Sequence, residues 1–232
     1  MAKIARYLGV VVASLLAGIV LAMGWTAYRH AVPSAESLVV ATFANDASTA
    51  PTAFDDDDVS SDMRALSQWI AVSANNNRLA YLIVDKRAAV IYVFSPEGTF
   101  VASSAVLLGA ASGDKTVPDI GERTGAQVMP HERITPAGRF VGERGRNTRG
   151  EDVVWIDYTA GISMHRVLTT NTSENRLLRL ASPDTKDNRI SYRCINVPDV
   201  FFNRFIEPMF AKNRALVYVL PEVKTARQVF GS

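Results

Sequence analysis

A chain of 232 residues, 48% hydrophobic and 21% charged, has the composition of an ordinary folded protein and room for one sizeable domain with flanking segments. A single cysteine excludes an intramolecular disulfide and a cysteine-built zinc site, and with only three histidines no metal centre is expected. The net charge of +2 hides an asymmetry: residues 1–30 carry three bases and no acid, residues 31–62 carry seven acids and no base, and the remainder holds 22 of the 25 bases and 16 of the 23 acids. A basic body behind an acidic leader suits an anionic polymer or simply solubility, and nothing in it calls for nucleic acid.

In chain order, residues 1–30 come first. Tyr7 to Ala27 is a run of 21 residues without a charge, long enough to cross about 30 Å of hydrocarbon as a helix. Lys3 and Arg6 precede it, and Tyr7, Trp25 and Tyr28 lie near its ends, where amphipathic rings favour the interface. An uncleaved transmembrane anchor with its N-terminus inside is the preferred reading. A cleaved signal peptide, cut near Ala22 or Gly24, is the alternative. Either places the remainder outside the inner membrane, in the periplasm or cell envelope. Residues 31–62, with Asp55–Asp58 adjacent, read as an acidic disordered linker whose charge run is solvated; calcium loops need spaced ligands.

Residues 63–77 follow as a short amphipathic helix, with Met63, Leu66 and Ile70 on one face and Asn75–Asn77 at its end. From Leu79 the pattern turns to β-branched and aromatic runs. "LAYLIVD" and "AAVIYVF" flank Lys86 and Arg87 as a hairpin; "TFVASSAVLL", "DVVWIDY", "GISMHRVL" and "ALVYVLP" continue as strands. Residues 78–223 are therefore expected to be one mainly β domain with a few short helices, followed by a tail over 224–232.

The chemistry centres on Cys194 in "ISYRCINV". A lone cysteine is commonly a small buried hydrophobe, but an unpaired thiol in an exported protein, among polar neighbours, fits a nucleophile. A nucleophilic thiol needs a base beside it. His30 follows the apolar run, His131 sits in a polar loop, and His165 lies in the strand-like run "GISMHRVL", where it is best placed to be held rigidly.

These residues carry a resemblance. His165, then 25 residues, then Ser191-Tyr192-Arg193-Cys194-Ile195-Asn196 resembles the signature of the L,D-transpeptidase (YkuD-type) catalytic domain: a His, a variable segment, then Ser/Thr-x-Gly-Cys-x-Asn/Arg. "TPAGRF" at Thr135–Phe140 resembles the family's turn before the active-site strands, and "YLIVDKRAAVIYVF" its first hairpin. The resemblance covers about Leu79–Val223. Arg193 replaces the glycine before the cysteine, and Arg166 replaces a small residue after the histidine. The segment from Thr169 to Arg189 is longer than the family's and is expected to add a loop or short helix over the site.

The resemblance implies a β-sandwich or barrel-like fold and a cysteine acyltransferase that acts on peptidoglycan stem peptides through a thioester, without a cofactor. Carbapenems acylate enzymes of this family. Cys194 would be the nucleophile and His165 the base, with backbone N–H groups around Tyr192 and Arg193 holding the oxyanion. Ser191 and Asn196 would brace the turn or bind substrate, and one of Arg166, Arg189 and Arg193 would bind a substrate carboxylate. An L,D-carboxypeptidase, which uses water as acceptor, is the alternative enzyme. A wall-binding domain without turnover and an unrelated β domain with an inert cysteine are the alternatives outside catalysis.

Overall fold

The computed structural model describes residues 59–212 and 214–231. The segment read as membrane anchor or signal peptide (1–30) and nearly all of the acidic linker (31–62) lie outside the described residues. Among the described residues no helix is long and apolar enough to cross a membrane.

Helix α1 (Ser61–Ser73) starts where Ser60 accepts the N–H of Met63 at 3.2 Å and stops at Ala74 in the left-handed region, φ 52°. Its buried residues Met63, Leu66 and Ile70 are spaced to form one face. They pack with Tyr81, Ile83, Tyr92, Phe94, Leu216 and Tyr218 on one side of the sheet.

Strand β1 (Tyr81–Asp85) and β2 (Val90–Phe94) form the expected hairpin, with the Asp85 carboxylate accepting the N–H groups of Arg87 and Ala88 in the turn. β1 is buried on both faces, which is why its sequence is a continuous apolar run. Strands β3 (Phe100–Ala105), β4 (Leu108–Gly109), β5 (Gly138–Arg146), β6 (Asp152–Asp157) and β7 (Ile162–Arg166) follow. After the short helix α2 (Arg176–Leu180) come β8 (Arg189–Ser191) and β9 (Ile195–Val197). A helical run α3 is α-helical at Asp199–Phe201 and Glu207–Lys212 and π-helical at Phe202–Ile206. Strand β10 (Ala215–Val219) and helix α4 (Ala226–Phe230) complete the domain.

One eight-stranded sheet runs β3-β2-β1-β10-β5-β6-β7-β9, with β1/β10 and β7/β9 parallel and the other pairs antiparallel. A second, two-stranded ladder pairs β4 with β8 in parallel. β5 serves both halves of the large sheet, pairing with β10 through residues 138–142 and with β6 through 143–146. Gly142 stands at that hand-over, where a Cβ would lie 2.5 Å from the ring of Phe210. The sheet nearly closes: Leu107, just past β3, exchanges two backbone hydrogen bonds of 2.9 and 2.8 Å with Asn196 in β9. The interior is filled by Leu82, Val84, Ile91, Val93, Val217 and Val219 from one half and Val154, Met164 and Ile195 from the other. Phe202, Ile206 and Phe210 of α3 join them. The domain is thus mainly β, barrel-like, with few helices.

Candidate active site

The parallel pair β7/β9 sets the geometry. Its register places His165 opposite Asn196 and Met164 opposite Ile195. Because side chains alternate along a strand, Ser163 and His165 share one face of β7, and Cys194 and Asn196 share the adjoining face of β9 and its approach. Four polar side chains therefore form a quadrilateral. Ser163 Oγ lies 3.6 Å from Cys194 Sγ, and Asn196 Nδ2 lies 3.3 Å from His165 Nε2. Cys194 and His165 are both partly exposed, whereas Asn196 is fully buried.

The imidazole is fixed from behind. Its Nδ1–H donates to the carbonyl of Arg166 at 2.7 Å, leaving Nε2 as the nitrogen available to the thiol. Burial pushes the Cys194 thiol up, but hydrogen bonding and charge interaction with His165, together with the N–H and hydroxyl of Ser163, outweigh it and hold the thiol below its ordinary value. The reciprocal shift appears on His165. Desolvation pushes its pKa down, and interaction with Cys194 and the Arg166 carbonyl more than offsets this, so it lies above the usual histidine value. A thiol lowered and an imidazole raised by each other are a coupled proton donor and acceptor.

The turn carrying Cys194 is held by its carbonyls. Ser191 Oγ donates to the Cys194 carbonyl at 2.6 Å, and Thr135 Oγ1 donates to the Arg193 carbonyl at 2.8 Å while accepting the Gly109 N–H at 2.9 Å. In a trans peptide the N–H points opposite to the C=O. Among the described residues, the N–H groups of Tyr192, Arg193 and Cys194 donate to no backbone carbonyl.

Arg193 is not among the residues with positive φ, so arginine stands without left-handed strain at the position where the resemblance led to an expected glycine. Its side chain is buried, with Nη1 donating to the Ala160 carbonyl at 2.6 Å and Nε without a partner. Tyr192 projects outward, 46% exposed, with the Arg133 guanidinium 4.2 Å from its ring centre.

The other two arginines singled out in the sequence are engaged elsewhere. Arg166 donates to Asn203 at 2.8 Å, pairs with Glu207 at 2.9 Å and stacks on Phe202. Arg189 pairs with Glu222 and donates to the Lys86 carbonyl at 2.8 Å. It belongs to a buried cluster in which Lys86 Nζ reaches Asp114 at 3.0 Å, Glu222 at 3.5 Å and the Thr135 carbonyl at 3.0 Å. That cluster holds Thr135 from one side while its hydroxyl holds the cysteine turn from the other.

The long segment between β7 and β8 contains α2. Arg176, at its start, donates from Nη1 to Asn196 Oδ1 and from Nε to Glu174. Ser163 and Arg176 were not singled out from the sequence. The alternation that puts Ser163 and His165 on one face of β7 was the signal for Ser163; no spacing pointed to Arg176.

No family model matches the chain, and no curated protein matches it. Among solved structures, the chain is similar to the helical cell shape determining protein Pgp2 from Campylobacter jejuni, at 12% identity and a TM-score of 0.43, with 68% of this chain and 56% of that chain covered. It therefore spans little more than half of that protein's structure. It is also similar to the catalytic domain of an L,D-transpeptidase from Enterococcus faecium (19% identity, TM-score 0.31, 61% of this chain and 96% of that one). A third likeness is to an L,D-transpeptidase from Mycobacterium smegmatis (11% identity, TM-score 0.35, 60% of this chain and 58% of that one). The chain is thus similar in structure, at 11–19% identity, to several L,D-transpeptidases.

Proposed function

We propose that the protein is a cysteine acyltransferase of the cell envelope that acts on peptidoglycan stem peptides by L,D-transpeptidation. The observation that carries this reading is geometric: Cys194 and His165 stand on adjoining faces of the approach to β9 and of β7, with Nδ1 of the imidazole tied to a backbone carbonyl so that Nε2 is the nitrogen left for the thiol. The lowered thiol agrees with it. An inert core cysteine has no such partner. The sequence pattern around His165 and Cys194 supplies the substrate class.

The chemistry follows from the atoms in place. Nε2 of His165 takes the proton from Cys194, and the thiolate Sγ attacks the stem-peptide carbonyl that precedes a terminal D-residue. The N–H groups of Tyr192, Arg193 and Cys194 receive the oxyanion, each such donor being worth about 2.7–4 kcal/mol. Collapse of the tetrahedral adduct breaks the C–N bond, and Nε2 returns its proton to the leaving amine. The thioester on Cys194 is then resolved by the amine of a second stem, which restores the thiol. Water in place of the amine gives the carboxypeptidase outcome. Arg193 is the arginine whose charge interacts with Cys194, and it adds positive potential beneath the developing anion. The membrane anchor belongs to the same proposal, since the substrate lies outside the inner membrane.

The test is turnover of a purified tetrapeptide stem by the full-length protein. Expected are release of the terminal D-residue and formation of a cross-linked dimer, both lost in Cys194→Ser and reduced at least a hundredfold in His165→Gln. Shortened peptide without dimer would replace the transpeptidase with the carboxypeptidase. Retention of the D-residue would overturn the enzymatic reading.

A further inference from the structure

We propose that Arg176, in the helix between β7 and β8, is a positioning residue that acts through Asn196 to bias His165 toward its neutral, Nδ1-protonated form and against the thiolate–imidazolium pair. The inference rests on the catalytic reading of Cys194 and His165, but its test does not.

A guanidinium has five donors and no acceptor. The atom of Asn196 that faces Arg176 Nη1 must therefore be the amide oxygen, and the Nδ2 group is left to face His165 Nε2 at 3.3 Å and the Cys194 carbonyl at 3.5 Å. An NH2 group only donates, so it is matched by Nε2 when that nitrogen carries a lone pair and opposed when it carries a proton. Nδ1 is already matched as a donor to the Arg166 carbonyl at 2.7 Å. Both contacts thus select one tautomer of the neutral ring.

Asn196 is fully buried, and its backbone is locked by the two hydrogen bonds to Leu107, so the amide has rotation about its side chain as its remaining freedom. Arg176 removes that freedom. Its own side chain is only 12% exposed and is held by Glu174.

The charged groups acting on His165 come from three directions. Cys194, from the turn before β9, favours the imidazolium, and Arg176, from α2, disfavours it. Arg166, next along β7, directs its guanidinium to Glu207 and Asn203, and Arg193, in the cysteine turn, directs its own to the Ala160 carbonyl. Arg176 is therefore the counterweight to the thiolate–imidazolium pair. Its removal lets the Asn196 amide flip so that Oδ1 accepts Nε2–H, and the pair shifts toward the ionised state.

Two measurements on the full-length protein test this. The first is the pH dependence of Cys194 alkylation by iodoacetamide in wild type, Arg176→Met and Arg176→Lys. The midpoint is expected to fall by about one pH unit in Arg176→Met and to return toward wild type in Arg176→Lys, where a donor and a charge remain. An unchanged or raised midpoint in a folded Arg176→Met protein overturns the proposal. The second needs no variant at position 176: nitrogen NMR of wild type with labelled histidine, the His165 signal assigned through His165→Gln. Above the His165 transition the ring is expected to carry its proton on Nδ1, and an Nε2–H tautomer overturns the proposal. Neither readout involves an acyl donor. A protein that shows both effects yet turns over no stem peptide would refute the enzymatic reading and keep this one.

Discussion

Cys194 and His165 change each other's proton affinity, and the sign of that change is measurable. Because the thiol lies below its ordinary value and the imidazole above, the thiolate is expected to appear at lower pH than for a free cysteine, and the ion pair to be lost as pH rises through the His165 transition. In His165→Gln the lowering interactions with the histidine vanish and burial dominates, so the midpoint of iodoacetamide alkylation should move upward by more than one pH unit. Ser163→Ala removes one of the two Ser163 contacts on Sγ and leaves the N–H, so its upward shift should stay below one unit. At this scale the sequence was informative wherever a side chain had a strand to sit on. His165 and Asn196 face each other because β7 and β9 run parallel in that register, and both stood out in the sequence pattern. The three arginines were legible as residues but not by partner, because Glu207 and Glu222 reach Arg166 and Arg189 only through folding.

The turn before β9 depends on elements remote in sequence. Gly109 at the end of β4 lies under the 133–135 segment: a Cβ there would meet the Arg133 carbonyl at 2.3 Å and the Thr135 nitrogen at 2.7 Å. Thr135 is the residue whose hydroxyl holds the Arg193 carbonyl. Gly109→Ala is therefore expected to cost about 1–3 kcal/mol in urea unfolding and to slow Cys194 alkylation by displacing that hydroxyl. The hairpin and the Thr135–Phe140 turn could be read from the sequence because their signals are local. Helix α2 was expected only as a loop or short helix in the longer Thr169–Arg189 segment and could not be placed within it, since five residues in a polar loop carry too little periodicity. The linker reading ran to residue 62, but α1 begins at Ser61, where the Ser60 cap and the contact of α1 with the sheet fix its start.

Across the whole molecule, the Lys86–Asp114–Glu222–Arg189 cluster joins the first hairpin, the 112–117 loop, the Thr135 turn and the segment after β10. Burial pushes the Asp114 carboxyl up, but the N–H groups of Glu222 and Lys224 and the Lys86 ammonium outweigh it and hold its pKa at about 2, against an ordinary 3.8. A depressed carboxylate stabilises the fold above its unfolded value and loses that contribution as pH falls through the folded one. Unfolding free energy should thus drop between about pH 4 and pH 2 by about 2 kcal/mol from this group, and Asp114→Asn should flatten that part of the profile. Lys86→Met should cost about 3–5 kcal/mol at neutral pH, because Asp114 stays buried without its cation while Glu222 keeps only Arg189. The order of the strands was beyond the sequence: β10, the last strand, inserts between β1 and β5, and no local pattern encodes a pairing over that separation.

The most direct test of the central claim, that Cys194 is an acylated nucleophile, is the intact mass of the full-length protein after incubation with a carbapenem. Expected are one adduct per chain on wild type, a slower adduct on His165→Gln and none on Cys194→Ser. A wild-type protein that stays unmodified, or an adduct that persists in Cys194→Ser, would contradict it.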